Sequence, residues 1–242
     1  MIEGPDLVEA ALRAGVEFEA LYVSLDVKDD VTSALVERAE RAGVRTFAMP
    51  RAVFDLVADT KTPQGLLGSV RLPITELAAL GLVSTLLVLC DVQDPGNAGT
   101  IIRSSDAAGA SAVVFCGQSV DPFNPKTMRA SAGSVFQVPV VVAEFEALES
   151  YCRAQMIQLV ATVARGGSNP RLVDLARPSA ILVGNEATGL SESEILAADV
   201  AVTIPMSGAA ESLNAGVAGS LLAFEAMYQR QDADDDARRS SL

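Results

Sequence analysis

Hydrophobic positions in this chain follow two regimes. Up to about residue 80 they alternate between helical and strand spacing in short segments. Leu7, Ala10, Ala11 and Ala14 share one helical face, and Phe18 to Val27 reads as a strand that ends at the turn Asp29-Asp30. A helix over Val31 to Ala42 ends at Gly43, a strand over Val44 to Met49 closes at Pro50, and a short helix surrounds Val53 to Val57. Thr60-Lys61-Thr62-Pro63-Gln64-Gly65 leads into a strand over Leu66 to Leu72, which Pro73 stops. These segments predict a small α/β domain over 1–75, about the smallest size that folds alone, with a break over Thr75 to Ser84.

From Thr85 the apolar runs become long and continuous. Leu86 to Cys90, Ala112 to Cys116, Val138 to Val142, Ile157 to Val163, Ala180 to Val183 and Val200 to Ile204 are separated by helical stretches. Strands apolar on both faces predict a parallel sheet with helices on both sides, in a second domain over 84–229. The polar stretch 230–242, with Asp232-Ala-Asp-Asp-Asp, lacks periodicity and is predicted to be disordered.

In such sheets ligands bind beyond the carboxyl ends of the strands. Four ends carry clusters of small and polar residues: Asp91 to Arg103, Thr162 to Gly167, Gly184 to Ser191, and Ile204 to Glu225. None is a GxGxxG or GxxxxGKS motif. The last one passes from a strand end through Pro205, Ser207 and Gly208 into a helix rich in small residues. Alone it reads equally as a helix cap or a cofactor site; four such clusters together favour a ligand site.

Composition narrows the chemistry. Histidine is absent, which removes His-based triads, His general bases and most zinc sites, so no metal is expected. The three cysteines, Cys90, Cys116 and Cys152, lie far apart and read as buried thiols. No apolar run reaches the roughly 18 residues of a membrane span, and Met1 to Asp6 has neither the basic nor the apolar region of a signal peptide; a cytoplasmic protein is expected. The net charge of −13 speaks against nucleic acid at first, yet residues 122–143 contain Lys126 and Arg129 without an acid, and 150–173 contain Arg153, Arg165 and Arg171 without one. Both a local positive face and scattered solvated charges fit that distribution.

Asn97-Ala-Gly99 with Arg103, then Ile181-Leu-Val-Gly-Asn-Glu186-Ala-Thr-Gly189-Leu-Ser, then Ile204-Pro-Met-Ser-Gly-Ala-Ala-Glu-Ser212-Leu-Asn214-Ala-Gly-Val-Ala closely resemble, in order and spacing, the three signature motifs of the SpoU (TrmH-like) RNA 2'-O-ribose methyltransferases. The preceding unit, with Pro63-Gln64-Gly65, resembles the small ribosomal-protein-like RNA-binding domain of many rRNA-directed members. The resemblance implies a trefoil-knotted methyltransferase (SPOUT) domain, S-adenosylmethionine as cofactor, a homodimer packed through the knot, and RNA as substrate, with rRNA favoured over tRNA and 23S rRNA most of all.

By the same resemblance the cofactor contacts are Thr162, Val163, Gly166, Val183, Gly184, Asn185, Glu186, Gly189, Ile204, Met206, Ser212, Leu213 and Asn214, with Ile181 beside them as an apolar wall. Arg103 is the implied catalytic residue, joined by Asn97, Glu186, Ser212 and Asn214. An arginine hardly loses its proton, so Arg103 is expected to hold phosphate and stabilise a developing alkoxide; a salt bridge to Asp106 or Asp91 is its plain structural alternative. Asn97 is expected to cap the helix that bears Arg103. The implied RNA contacts are Lys61, Gln64, Arg103, Lys126, Arg129 and Ser131, with solvated surface charge as the alternative for the basic ones. Other classes stay open: a tRNA methyltransferase, a non-catalytic RNA-binding or ribosome-assembly protein of the same fold, and a nucleotide-binding metabolic enzyme.

Overall fold

A computed structural model describes residues 1–60 and 62–240. The chain forms two compact units, Met1–Pro73 with Ala132–Gln137, and Ile74–Ser131 with the chain from Val138 on.

The first unit is built from β1 (Ile2–Glu3), α1 (Pro5–Arg13), β2 (Phe18–Ser24), α2 (Asp30–Arg41), β3 (Thr46–Met49), α3 (Arg51–Val57) and β4 (Leu66–Val70). Its sheet has the order β1-β4-β2-β3, with only β2 and β3 parallel. Local chemistry sets the boundaries. Pro5 opens α1, where a missing N–H costs nothing. The Asp29 carboxylate accepts from Thr32 N at 2.7 Å and caps α2. Leu7, Val8, Ala10 and Ala11 are the buried face of α1, so the predicted face is correct except that Val8 replaces Ala14.

The second unit contains β5 (Ile74–Thr75), β6 (Thr85–Cys90), α4 (Pro95–Ala107), β7 (Ala112–Cys116), α5 (Pro125–Ala130), β8 (Val140–Val142), α6 (Phe145–Ala154), β9 (Gln158–Thr162), β10 (Ser179–Val183), α7 (Glu192–Ala197), β11 (Val200–Val202) and α8 (Ala215–Ser240). Its seven strands run in the order β11-β9-β10-β6-β7-β8-β5, and every pairing is parallel. Residues 85–90, 112–116 and 179–183 are buried without interruption. That is the signature of strands covered on both faces. The order places β6, β9, β10 and β11 together, so the loops that follow them share one rim. Cys90, Cys116 and Cys152 are free and buried in the same apolar cluster, where burial pushes the Cys116 and Cys152 thiols up to about 12 and Cys90 higher still.

Three features differ from the sequence expectation. β1 and β5 went unpredicted because two residues are too few to show a period. β5 falls at the end of the stretch assigned to the first domain, where the expected break begins, yet Ile74 and Thr75 pair with Val140 and Val141 at the edge of the large sheet. The stretch 230–240, expected to be disordered, continues α8. No glycine or proline interrupts it, and its root is tied down: Gln229 accepts from Leu175 N at 2.8 Å and donates to Pro170 O at 3.1 Å, while Arg230 donates to the Thr85 hydroxyl. Propagating a helix from a fixed turn avoids the cost of nucleation. No helix among the described residues is long and apolar enough to cross a membrane.

Candidate active site

The rim after β6, β9, β10 and β11 is assembled from the predicted motifs, but with different roles for some side chains. Asp94, not Asn97, caps α4: its carboxylate accepts from Asn97 N at 2.8 Å. Asn97 lies in the first helical turn, and its amide is free to bridge. It donates to Glu186 Oε1 at 2.9 Å and accepts from Asn214 Nδ2 at 2.7 Å. One side chain from each of the three motifs thus meets in a single chain of hydrogen bonds. Asn214 does cap its helix, α8, with its Oδ1 accepting from Val217 N at 3.1 Å. The helices can approach because Gly216 and Gly219 face α4; a Cβ on Gly216 would lie 3.2 Å from Asn97 Cα.

Glu186 also accepts from Gln93 N at 3.3 Å and Asp94 N at 3.1 Å, so its carboxylate sits against the positive end of α4. Partial burial pushes this carboxyl up, but the hydrogen bonds from Asn97 and from the main-chain N–H groups outweigh it and hold the group below its ordinary value. A carboxylate with a depressed folded value contributes stability that is present above the ordinary value of 4.5 and is lost as pH falls through the folded one. Glu186→Gln is therefore expected to melt at a lower temperature than the wild type near neutral pH, and the gap is expected to close as pH drops below 4.5. A gap that persists unchanged in acid would contradict this account.

Asn185 shapes the loop carrying Glu186. Its N–H donates to Gly189 O at 3.1 Å and Gly189 N returns a bond to Asn185 O at 2.9 Å, while its side-chain oxygen accepts from Ala187 N and Thr188 N. Its Nδ2 donates to Asp91 O at 2.8 Å, and Asp91 holds φ +56°, an unusual backbone for a non-glycine residue. Such strained positions concentrate at functional sites.

These loops enclose a cavity of about 680 Å³. Thr162, Val163, Val183, Gly184, Asn185, Glu186, Gly189, Ile204, Met206, Ser212 and Leu213 all line it. Of the expected cofactor contacts only Gly166 and Asn214 do not; a Cβ on Gly166 would meet nothing within 4 Å, and the Asn214 amide is engaged by Asn97. Ile181 is fully buried in β10 and forms no part of the wall. The Thr162 hydroxyl, on the wall, is buried without a hydrogen-bond partner in the protein.

Arg103 is exposed on α4, and among the described residues it has no ion pair, so neither Asp106 nor Asp91 restrains it. Lys126 and Arg129 are likewise exposed and without ion pairs on α5. Ser131 requires a correction: it is fully buried, and its hydroxyl donates to Met128 O at 2.8 Å, closing α5 instead of facing solvent. Gln64 is exposed on the first unit. Lys61 lies outside the described residues.

The family model described as the SpoU rRNA Methylase family matches residues 84–224. The chain belongs to this family. A second model, described as RNA 2'-O ribose methyltransferase substrate binding, matches residues 1–74. The 23S rRNA (guanosine(2553)-2'-O)-methyltransferase RlmP of Bacillus subtilis is 33% identical, over 93% of this chain and 86% of that protein. The SpoU methyltransferase AviRb from Streptomyces viridochromogenes, solved with AdoMet, superposes with TM-score 0.83 at 28% identity, over 96% of this chain and 90% of that one. The AdoMet-bound rRNA methyltransferase from Sinorhizobium meliloti gives TM-score 0.82 at 32% identity, over 93% and 85%.

Within this SpoU chain the cavity has further walls that sequence motifs did not single out as site residues: Arg165, Glu211, Leu190, Ile195, Ala215 and Ala218. Leu190 and Ile195 bracket the start of a helix and face the cavity only because the preceding loop folds back on itself. Asp94 was legible in principle, as an Asp immediately before Pro95 is a common way to open a helix.

Proposed function

We propose that this chain transfers a methyl group from S-adenosylmethionine to a ribose 2'-hydroxyl of rRNA, with 23S rRNA as the favoured target. The observation that carries the reading is the Glu186–Asn97–Asn214 bridge beside a cavity that the same three motifs line. The residues present fit the cofactor: the partnerless Thr162 hydroxyl offers a hydrogen bond to a ribose, and the missing side chain at Gly184 lets the Gly189–Leu190 main chain close against it as one wall of the cavity. Glu186 and Glu211 set two carboxylates against one guanidinium, Arg165, in the cavity wall, a balance that suits a cationic ligand.

When bound, the cofactor supplies an electrophilic methyl on its sulfonium. The protein's part is to position and to stabilise. Ile204, Leu213 and Val183 exclude water from the apolar parts of the pocket. Arg103, unencumbered on α4, holds a backbone phosphate and stabilises the charge that develops on the ribose oxygen as its proton passes to water. Asn97, Glu186 and Asn214 are positioning residues that fix α4, and hence Arg103, against the cofactor loops. Ser212 faces the cavity from the loop before α8 and serves the ligand directly. Lys126 and Arg129 extend the phosphate-binding surface along α5, and Gln64 with Lys61 contacts RNA from the first unit.

The reading also includes a trefoil knot, a homodimer and a cytoplasmic protein. The knot is supported by Val202, which pairs with Thr162 on one side and with Ser168 on the other, so residues 163–167 arch over β11 before the chain continues into α8. The homodimer is supported by exposed Leu172, Leu196, Val217, Leu221 and Tyr228 on the second unit. The test is calorimetric titration with S-adenosylmethionine together with transfer of a labelled methyl group to unmodified rRNA. Binding with transfer is expected. Transfer to tRNA alone would move the target; binding without transfer to any RNA would favour an assembly protein; affinity for NAD or ATP instead would favour a metabolic enzyme.

A further inference from the structure

We propose that the open part of the N-terminal sheet is a stacking platform for unpaired bases of the RNA substrate. Tyr22 on β2 and Phe47 on β3 are paired neighbours in register, and their rings stack with centroids 5.7 Å apart and an interplanar angle of 24°. Neither ring is covered as a core aromatic would be, and Phe47 is 47% exposed. β3 is the outer strand of its sheet, so no further strand continues beyond Phe47. A base laid on Phe47 extends a stack that Tyr22 has already begun.

The surroundings favour a base over a phosphate chain or a duplex. The rings line a groove of about 560 Å³ together with Phe18, Arg45, Ser69, Glu17 and Glu19. Glu17 and Glu19 are exposed carboxylates, Glu17 with Arg71 at 3.5 Å and Glu19 without an ion pair among the described residues; Glu19 disfavours a phosphate there but accepts hydrogen bonds from exocyclic amino groups on base edges. Ser69 donates to Glu19 Oε2 at 2.8 Å and holds that carboxylate at the groove. Arg45 donates to Glu19 O at 3.3 Å and is otherwise exposed, so among the described residues lining the groove it is the cation able to stack on a base or meet a phosphate at the rim. Bases turned inward with the backbone held outside describe a single strand; a duplex presents its phosphates first. The groove lies within residues 1–74, the segment that matches the substrate-binding family model, and RNA is taken as its occupant on that ground. The platform rests on the methyltransferase reading only in taking its RNA to be the substrate.

The test uses the full chain, a labelled mixed-sequence single-stranded oligoribonucleotide, and the same strand annealed to its complement. Fluorescence anisotropy with the wild type is expected to show tighter binding of the single strand. The Tyr22→Ala/Phe47→Ala double variant is expected to lose about tenfold or more in single-strand affinity, in line with the worth of one or two stacked bases. Phe47→Tyr is expected to retain it, and calorimetric affinity for S-adenosylmethionine is expected not to change. Phe47→Ala alone, at an exposed edge position, carries the test if the double variant fails to fold. Unchanged single-strand affinity in a folded variant overturns the platform. So does a wild-type dimer that the same substitutions dissociate, since the face would then belong to a second copy. If the wild type methylates no RNA yet shows the aromatic-dependent binding, the platform stands and the enzymatic reading falls. If it methylates rRNA with the same RNA KM in variant and wild type, the reverse holds.

Discussion

Arg103→Ala is expected to reduce turnover of methyl transfer by about 10²- to 10³-fold, the usual cost of removing one group that stabilises developing negative charge. Affinity for S-adenosylmethionine is expected to stay within about twofold, because a side chain outside the cavity wall has no cofactor contact to lose. Arg103 follows Asn97 by six residues on α4, under two turns and roughly 9 Å along the axis. The Asn97 bridge therefore fixes the helix from which Arg103 projects. No acid among the described residues pairs with the guanidinium, so its removal breaks no ion pair and thermal stability is expected to change little. Arg103→Lys keeps the charge without the planar fork and is expected to recover only part of the rate. Near-normal turnover in Arg103→Ala, measured at saturating cofactor and RNA, would remove it from the chemistry.

Much of this arrangement was legible because parallel sheets concentrate information at strand ends. The continuous burial of β6, β7 and β10 appears in the sequence as unbroken apolar runs, and the clusters following β6, β9, β10 and β11 appear as departures from them. What stayed hidden depends on long-range closure. Asn97 carries the residue type of a helix cap, and only the fold shows that Asp94 takes that place and releases the amide toward Glu186 and Asn214. Ser131, implied as an RNA contact, sits in a polar, basic stretch, yet the turn that ends α5 folds its hydroxyl back onto Met128 O. The edge strand β5 draws its pairing from Val140 and Val141, some 65 residues away in the chain, and two residues carry no periodicity of their own.

Charge shows the same limit. The sequence offered Arg153 and Arg171 as part of a positive face. In the fold, Arg153 is bound to Asp199, with Glu149 at 3.9 Å, and Arg171 lies 3.9 Å from Glu225. Exposed pairs of this kind contribute little stability, but they neutralise the local field. The basic groups left without ion pairs among the described residues of the second unit include Arg103, Lys126, Arg129 and Arg165. An acidic protein can thus keep a local site for phosphate while its net charge of −13 repels RNA elsewhere.

Gly184→Ala is expected to weaken S-adenosylmethionine binding by about tenfold or more while leaving the fold in place. A Cβ at this position would lie 2.3 Å from Gly189 C and Leu190 N, and both are backbone atoms that no rotamer change can move. Overpacking of this order costs about 1–3 kcal/mol. The clash falls between two ends of one loop, so opening that loop relieves it without disturbing β10. Opening would break the reciprocal Asn185–Gly189 bonds at 3.1 and 2.9 Å and draw Glu186 away from Asn97, Gln93 and Asp94. The cavity would lose the wall that runs from Gly184 to Leu190. Each factor of ten in affinity corresponds to about 1.4 kcal/mol, so the strain is large enough for the expected loss. A shift of only a few degrees in melting temperature is expected, because the penalty is met locally. Gly81→Ala, where a methyl meets nothing within 4 Å, is expected to bind as the wild type does. Calorimetry on the two variants decides the matter: equal, wild-type affinity in both would mean that the closed loop at Gly184 is not what holds the cofactor.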